Sequence, residues 1–174
     1  MNPRLVTIMG GTAAVAALVT YVAFFEGTVY RGYLDPIGIV TACTGHTETA
    51  EMRPYSEEEC KTLLEGDLIT HAEGAMKCVD FNKLTEGQRV AVVSFTFNVG
   101  TGRFCMSTFA AKLRNQDPTA CTELLRWTFA GDKQLPGLVK RRKIEKEICE
   151  GRYGNPLANR PPSHLGCVQG GAGT

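Results

Sequence analysis

The chain lacks a basic excess: 19 Lys and Arg stand against 18 Asp and Glu, a formal net charge of +1. Affinity for nucleic acid comes mainly from neutralising phosphates, so this balance excludes a general nucleic-acid binder and no nucleic-acid partner is expected. There is no CxxC pair, and His46, His71 and His164 show no ligand-like spacing. That leaves no zinc ribbon, no dithiol redox motif and no metal or other cofactor to expect. No internal repeat and no low-complexity block stands out. Charged residues at 21% and hydrophobic residues at 43% exclude both a mostly disordered chain and a polytopic membrane protein. What remains is 174 residues, enough for one domain with a real core and too few for two ordinary ones.

Seven cysteines are the unusual presence. That density suits an oxidising compartment, where Cys43, Cys60, Cys78, Cys105, Cys121, Cys149 and Cys167 are all disulfide candidates. Seven is odd, so at least one has no partner within the chain. With one left out there are roughly 105 pairings, and sequence does not choose among them. Cys43 reads better as a structural bridge than as a reactive thiol.

From Leu5 to Phe25 no side chain is charged, a run of 21 residues behind Arg4. A helix of that length covers about 30 Å, the thickness of a bilayer's hydrocarbon core. Gly10, Gly11, Ala13, Ala14, Ala16, Ala17, Ala23, Thr7, Thr12 and Thr20 dilute the strongly apolar residues, so insertion is only modestly favourable. Three readings compete: a cleaved signal peptide, the buried first helix of a cytosolic protein, and an uncleaved, weakly held signal anchor. The small-x-small pair Ala14-x-Ala16 falls inside the apolar run rather than after it, and the cysteines speak against cytosol. The anchor is the reading adopted, with residues 1–25 as anchor and 26–174 as the exported domain. Its partner is then the inner membrane, engaged transiently through residues 5–25.

Beyond Phe25 the texture changes. Glycines with Ile37, Ile39 and Thr41 in alternation read as a small twisted hairpin region. Ser56 to Glu59 and Thr85 to Gln88 are capping boxes opening two helices, the second apolar nearly all round. Ser107 or Thr108 starts another, Asp117-Pro118 opens one over Ala120 to Phe129, and Pro136 to Glu150 forms the last. Residues 155–174 form a Pro/Gly-rich tail, loose at its glycines. A small mixed lobe followed by a helical bundle is an α+β arrangement in which helix predominates.

Breaking a glycosidic bond requires one carboxylic acid to protonate the leaving oxygen and a second carboxylate to activate water or attack carbon. Glu26 and Asp35 are candidates. Glu26 follows Val22-Ala23-Phe24-Phe25, an apolar setting that favours the protonated acid. Asp35 precedes Pro36 in a turn, where it is more solvated and ionised. Thr41 lies at even spacing from Asp35, so an extended strand would direct both to one face, with the hydroxyl placed to orient water. Spacing alone fits equally a solvated acid and an Asx-turn. Around them, His46 reads as a hydrogen-bonded structural histidine, Trp127 as core rather than sugar platform, and Lys140 to Lys143 as a solvated helix face. Asn98 reads equally as closing the end of its helix or lining a cleft.

The segment as a whole is more specific than its acids. Glu26-Gly27, Tyr33 to Gly38, Val40-Thr41 and Gly45-His46-Thr47 together resemble the opening of the phage-type lysozymes, glycoside hydrolase family 24. Phe95 to Gly102 and Leu135 to Arg142 resemble that family's central helix and late helix start, so the likeness runs from Glu26 to Cys149. It implies a lysozyme-like fold and a catalytic triad of Glu26, Asp35 and Thr41. It also implies substrate-binding roles for Asn98 and Gly100, and a bacterial peptidoglycan substrate cut between N-acetylmuramic acid and N-acetylglucosamine. A monomer is the default for an enzyme acting on a polymeric wall. The apolar start resembles the lambdoid signal-anchor-release subgroup, exported to the host periplasm, tethered to the inner membrane, then released. Two rivals stay open: a lytic transglycosylase and a non-enzymatic, membrane-tethered wall-binding module. Two departures stand out. The family often has Gly two residues after the Thr, where this chain has Cys43. Some relatives unlock activity with a thiol in the anchor, but residues 1–42 contain no cysteine, which closes that route.

Overall fold

A computed structural model describes residues 1–152. The tail, with His164 and Cys167, lies outside the described residues. The chain opens with two helices, α1 (Pro3–Met9) and α2 (Thr12–Glu26), followed by the antiparallel hairpin β1 (Val29–Leu34) and β2 (Val40–Cys43). Then come α3 (Glu57–Met76), α4 (Glu86–Val99), α5 (Thr101–Cys105), α6 (Thr108–Arg114), a two-residue-strand hairpin β3 (Phe129–Ala130) and β4 (Lys133–Gln134), and α7 (Pro136–Cys149). The result is α+β with helix predominant.

The central helix is α4, packed against α2, α3 and α7. Thr85 and Gln88 close its capping box, as Ser56 and Glu59 do for α3. Val90 to Thr96 are all buried, so the all-round apolar sequence reflects neighbours on every side. Phe95 is the hub, meeting Phe104, Phe109 and the half-buried Trp127 edge-on at 6.3, 5.7 and 5.1 Å. Three disulfides tie the elements together: Cys43–Cys60, Cys78–Cys105 and Cys121–Cys149. They pair all six cysteines among the described residues.

The apolar run from Leu5 to Phe25 is not one helix here. It breaks at Gly10-Gly11 into α1 and α2, which meet at 100°; no single helix among the described residues is long and apolar enough to cross a membrane, though the bent pair together would be. Gly10 sits at φ +93°, where a Cβ would be strained and would also lie 2.9 Å from the Arg89 guanidinium. That guanidinium caps the corner by donating to the carbonyl of Ile8. Leu5, Met9, Val15, Leu18 and Val22 are fully buried in the core. Each contributes about 1.5–3 kcal/mol over remaining exposed, so together they rival the roughly 5–15 kcal/mol net stability of a typical domain. The helical lobe is therefore incomplete without this segment.

Two local expectations change. Asp117 does accept from the Thr119 amide at 2.7 Å, but as an Asx-turn rather than a helix cap: the helix that follows is a 3-10 helix, Ala120–Arg126, with no side-chain cap, and Phe129 belongs to β3. Ile37 and Ile39 are in the turn between β1 and β2 rather than in a strand, 80% and 46% exposed.

At the α3–α4 contact the His71 ring lies against Phe97, centroids 5.1 Å apart, with Nδ1 buried and unpaired. Burial lowers the pKa of His71, and Asp67 only partly opposes it. A depressed histidine pKa means that the unfolded chain takes up its proton first as pH falls. This contribution to stability is therefore complete above about pH 6.5 and is lost on acidification below it. Denaturant titrations at pH 7.5 and 5.5 should show the wild type losing more stability than His71→Phe, which keeps the aromatic contact; an equal loss in both would refute this.

Candidate active site

Glu26 ends α2, and Gly27 follows at φ +75°, a left-handed conformation that turns the chain off the helix axis into β1. The Glu26 side chain is 28% exposed. Its surroundings are not the apolar ones expected from Val22 to Phe25. Arg141 of α7 donates to Oε1 at 2.5 Å, while Phe25 lies against the same guanidinium at 5.5 Å. One carboxylate oxygen is thus held from the helical lobe.

Behind Arg141 lies a buried ionic cluster. Arg141 Nε donates to Glu145 Oε1 at 3.1 Å, and its Nη2 to the Ser94 carbonyl at 3.2 Å. Ser94 Oγ donates to the same Glu145 oxygen at 2.7 Å. Arg142 pairs with Glu145 Oε2, donates to the Trp127 carbonyl at 3.0 Å, and reaches Asn98 Oδ1. The Tyr21 hydroxyl donates to the Arg141 carbonyl at 2.9 Å, tying α2 to α7 beside the acid. Burial works against the charge on Arg141, but Glu145 and Glu26 outweigh it and hold its pKa above the ordinary arginine value.

These groups were not recognised in the sequence. Lys140 and Lys143 are exposed, as a solvated face requires, but Arg141 and Arg142 are 3% and 1% exposed. The signal was present: Leu138, Arg141, Arg142, Glu145, Ile148 and Cys149 follow helical spacing along one face of α7. Reading only apolar residues into that stripe hid the charges within it.

Asp35 and Thr41 are brought together by the hairpin, though not by strand alternation. Pro36 and the turn interrupt the extended chain, and β1 and β2 pair Tyr33 with Thr41 and Leu34 with Val40. Asp35 Oδ1 accepts from the amides of Ile37 and Ile39 at 2.9 and 2.8 Å, so this is also an Asx-turn. The Ile39 carbonyl is shared: the Asp35 amide donates to it at 3.0 Å and Thr41 Oγ1 at 3.2 Å. Thr41 is buried and Asp35 half-buried.

Two clamps hold β2 against α3. Cys43 takes a left-handed φ of +55°, which accounts for glycine being usual at this position in the family it resembles, and its sulfur is bonded to Cys60. Buried His46 exchanges backbone hydrogen bonds with Ala42 at 2.8 and 2.9 Å. Its Nε2 accepts from the Thr49 amide at 3.1 Å, so Nδ1 carries the proton toward Asp67 at 2.9 Å. Burial raises the Asp67 pKa against the opposing pull of His46. At the far end of α4, Gly100 has φ +87° and its amide closes the helix on the Thr96 carbonyl at 2.8 Å, so Asn98 does not perform that closure. No group of His, Cys, Asp or Glu that could hold a metal occurs among the described residues.

Comparison with known proteins places this geometry. Residues 23–145 match the family model for phage lysozyme. The SAR-endolysin of Bacteriophage PS119 is 40% identical over 155 residues, covering 85% of this chain and 92% of its own. The SAR-endolysin of Escherichia phage Mu is 38% identical over 125 residues, 71% of this chain and 72% of its own. Among solved structures, the muramidase domain of SpmX from Asticaccaulis excentricus matches with a TM-score of 0.69 and 31% identity, over 76% of this chain and 93% of that domain.

Replacing Arg141 by Met removes the partner of Glu26 and leaves Glu145 with one guanidinium. Breaking a buried pair on one side typically costs about 3–5 kcal/mol. Arg141→Met should show a loss of that order in urea unfolding; a variant as stable as wild type would mean the cluster carries no stability.

Proposed function

Because the chain belongs to the phage lysozyme family, we propose that Glu26, Asp35 and Thr41 hydrolyse the β-1,4 bond between N-acetylmuramic acid and N-acetylglucosamine in bacterial peptidoglycan. The enzyme class is a lysozyme-type glycoside hydrolase, and the protein is a phage endolysin that lyses the cell wall. The observation carrying the finer reading is that one oxygen of Glu26 is held by Arg141 at the start of a hairpin whose turn ties Asp35 to Thr41.

The roles follow from the hydrogen bonds. With Oε1 of Glu26 held, Oε2 is the oxygen that delivers the proton to the leaving glycosidic oxygen. Two amides fix Oδ1 of Asp35, which orients the carboxylate to activate water or stabilise the oxocarbenium-like transition state. Thr41 gives its hydroxyl proton to Ile39, so its oxygen accepts from water and positions it. Asn98 and Gly100 contribute to binding the glycan.

Glu26→Gln keeps an acceptor for Arg141 but has no acid proton. Clearing of purified peptidoglycan should fall at least about a hundredfold with the fold intact. Retained clearing sinks the assignment, and products ending in an anhydro sugar rather than a reducing end sink hydrolysis.

Localisation is the second part of this reading. The segment from Leu5 to Phe25 inserts in the inner membrane on export, stays uncleaved, and later leaves to complete the enzyme in the periplasm. The character of α2 supports this. Of its water-facing positions, four, Thr12, Ala13, Ala16 and Thr20, are small and uncharged, Phe24 is apolar, and only Glu26 at the very end carries charge, where a helix kept permanently in water usually carries more. Leucine at these four positions touches no core contact of the folded enzyme but deepens insertion. The quadruple variant should remain in the membrane fraction and delay lysis, yet be active once extracted in detergent. Normal release would end the anchor reading.

A further inference from the structure

Asn98 is exposed on α4 one turn after Ser94, whose carbonyl accepts from the Arg141 guanidinium that also holds Glu26. It therefore lies on the side of α4 that faces the acid. Arg142, 1% exposed and fixed by Trp127 and Glu145, donates to Asn98 Oδ1. A guanidinium only donates, so the amide oxygen must face it, and the two N–H bonds of Nδ2 are turned away from the cluster. An asparagine is ordinarily free to flip; this one presents only donors.

From this polarity, and resting on the glycan-hydrolase reading above, we propose that Asn98 recognises the acetamido carbonyl of an amino sugar in the cleft, with Arg142 as the positioning residue that fixes its amide. The ring hydroxyls of a glycan both give and accept hydrogen bonds, so they would be satisfied by an amide in either orientation or by a carboxylate. An acetamido carbonyl accepts only, and every sugar of the repeating glycan carries one. A donor locked in one orientation is matched to it.

Asn98→Asp tests this, because a carboxylate keeps the contact with Arg142 and cannot donate; Asn98→Ala controls for the added charge. Rates would be measured on purified peptidoglycan and on the same material after partial chemical de-N-acetylation, with thermal unfolding to confirm that each variant folds. Wild type should prefer the acetylated glycan, and both variants should lower that preference about tenfold, the scale of one hydrogen bond left unmade. Because the readout is a ratio of rates within one variant, reduced overall activity does not obscure it. An unchanged preference, or an equal loss on both substrates, overturns the proposal. Failure of the unaltered protein to release reducing ends would instead remove the hydrolase reading, and this proposal with it.

Discussion

The ionic cluster built on α7 is the constraint on which the site depends. Arg141 reaches Glu26 on one side and Glu145 on the other, and Glu145 in turn holds Arg142. Charges this buried are tolerated only when paired and hydrogen-bonded throughout, and here Ser94, Trp127 and Asn98 supply the remaining partners. Buried clusters of this kind typically gain little stability over an apolar packing of the same volume. Its effect is geometric: α2, α4 and α7 are fixed relative to one another at the place where Glu26 leaves the helical lobe. A carboxylate on a helix terminus next to a glycine would otherwise have considerable freedom.

The hairpin is held by different means, suited to a small lobe with little core. Ala42, Cys43, Tyr55 and Cys60 form its only buried apolar cluster among the described residues. The Cys43–Cys60 bridge and the His46–Asp67 contact replace hydrophobic area with covalent and polar attachment to α3. Cys43 illustrates the trade. A left-handed backbone costs an ordinary residue about 1–2 kcal/mol, which glycine avoids, but glycine could not form the bridge.

Much of this was legible from residues alone. Both capping boxes, the buried central helix and the last helix have local signals that tertiary contacts only reinforced, because Ser56, Thr85 and Pro136 act within one turn of themselves. The family likeness supplied Glu26, Asp35 and Thr41 as a set. What the sequence hid was non-local. Asp117 looked like an α-helical start, yet the following turns tighten to 3-10 geometry against α6 and α7. The even spacing of Asp35 and Thr41 suggested a strand where a turn brings them together. Arg141 and Arg142 resembled solvent charges because, Glu145 apart, their side-chain partners Glu26 and Asn98 are 115 and 44 residues away in sequence.

The apolar run raises a different question, since one sequence has to satisfy two environments if it inserts as proposed. On an insertion scale each Leu, Val or Phe contributes only about 0.3–0.6 kcal/mol, and the glycines, alanines and threonines add little, so the inserted state is shallow. In the folded enzyme the large residues Leu5, Met9, Val15, Leu18 and Val22 all point inward, where burial is worth several times more for each. The break at Gly10-Gly11 permits this: a straight helix of 21 residues presents apolar groups all round, whereas two helices at 100° can wrap them onto α3 and α4. Glycine at the corner also weakens a continuous helix, by about 1 kcal/mol per residue in water. The same two residues that weaken a continuous helix are therefore the ones that let the segment fold onto the core. Because Glu26 is the last residue of α2, its carboxylate cannot reach Arg141 until that folding has occurred.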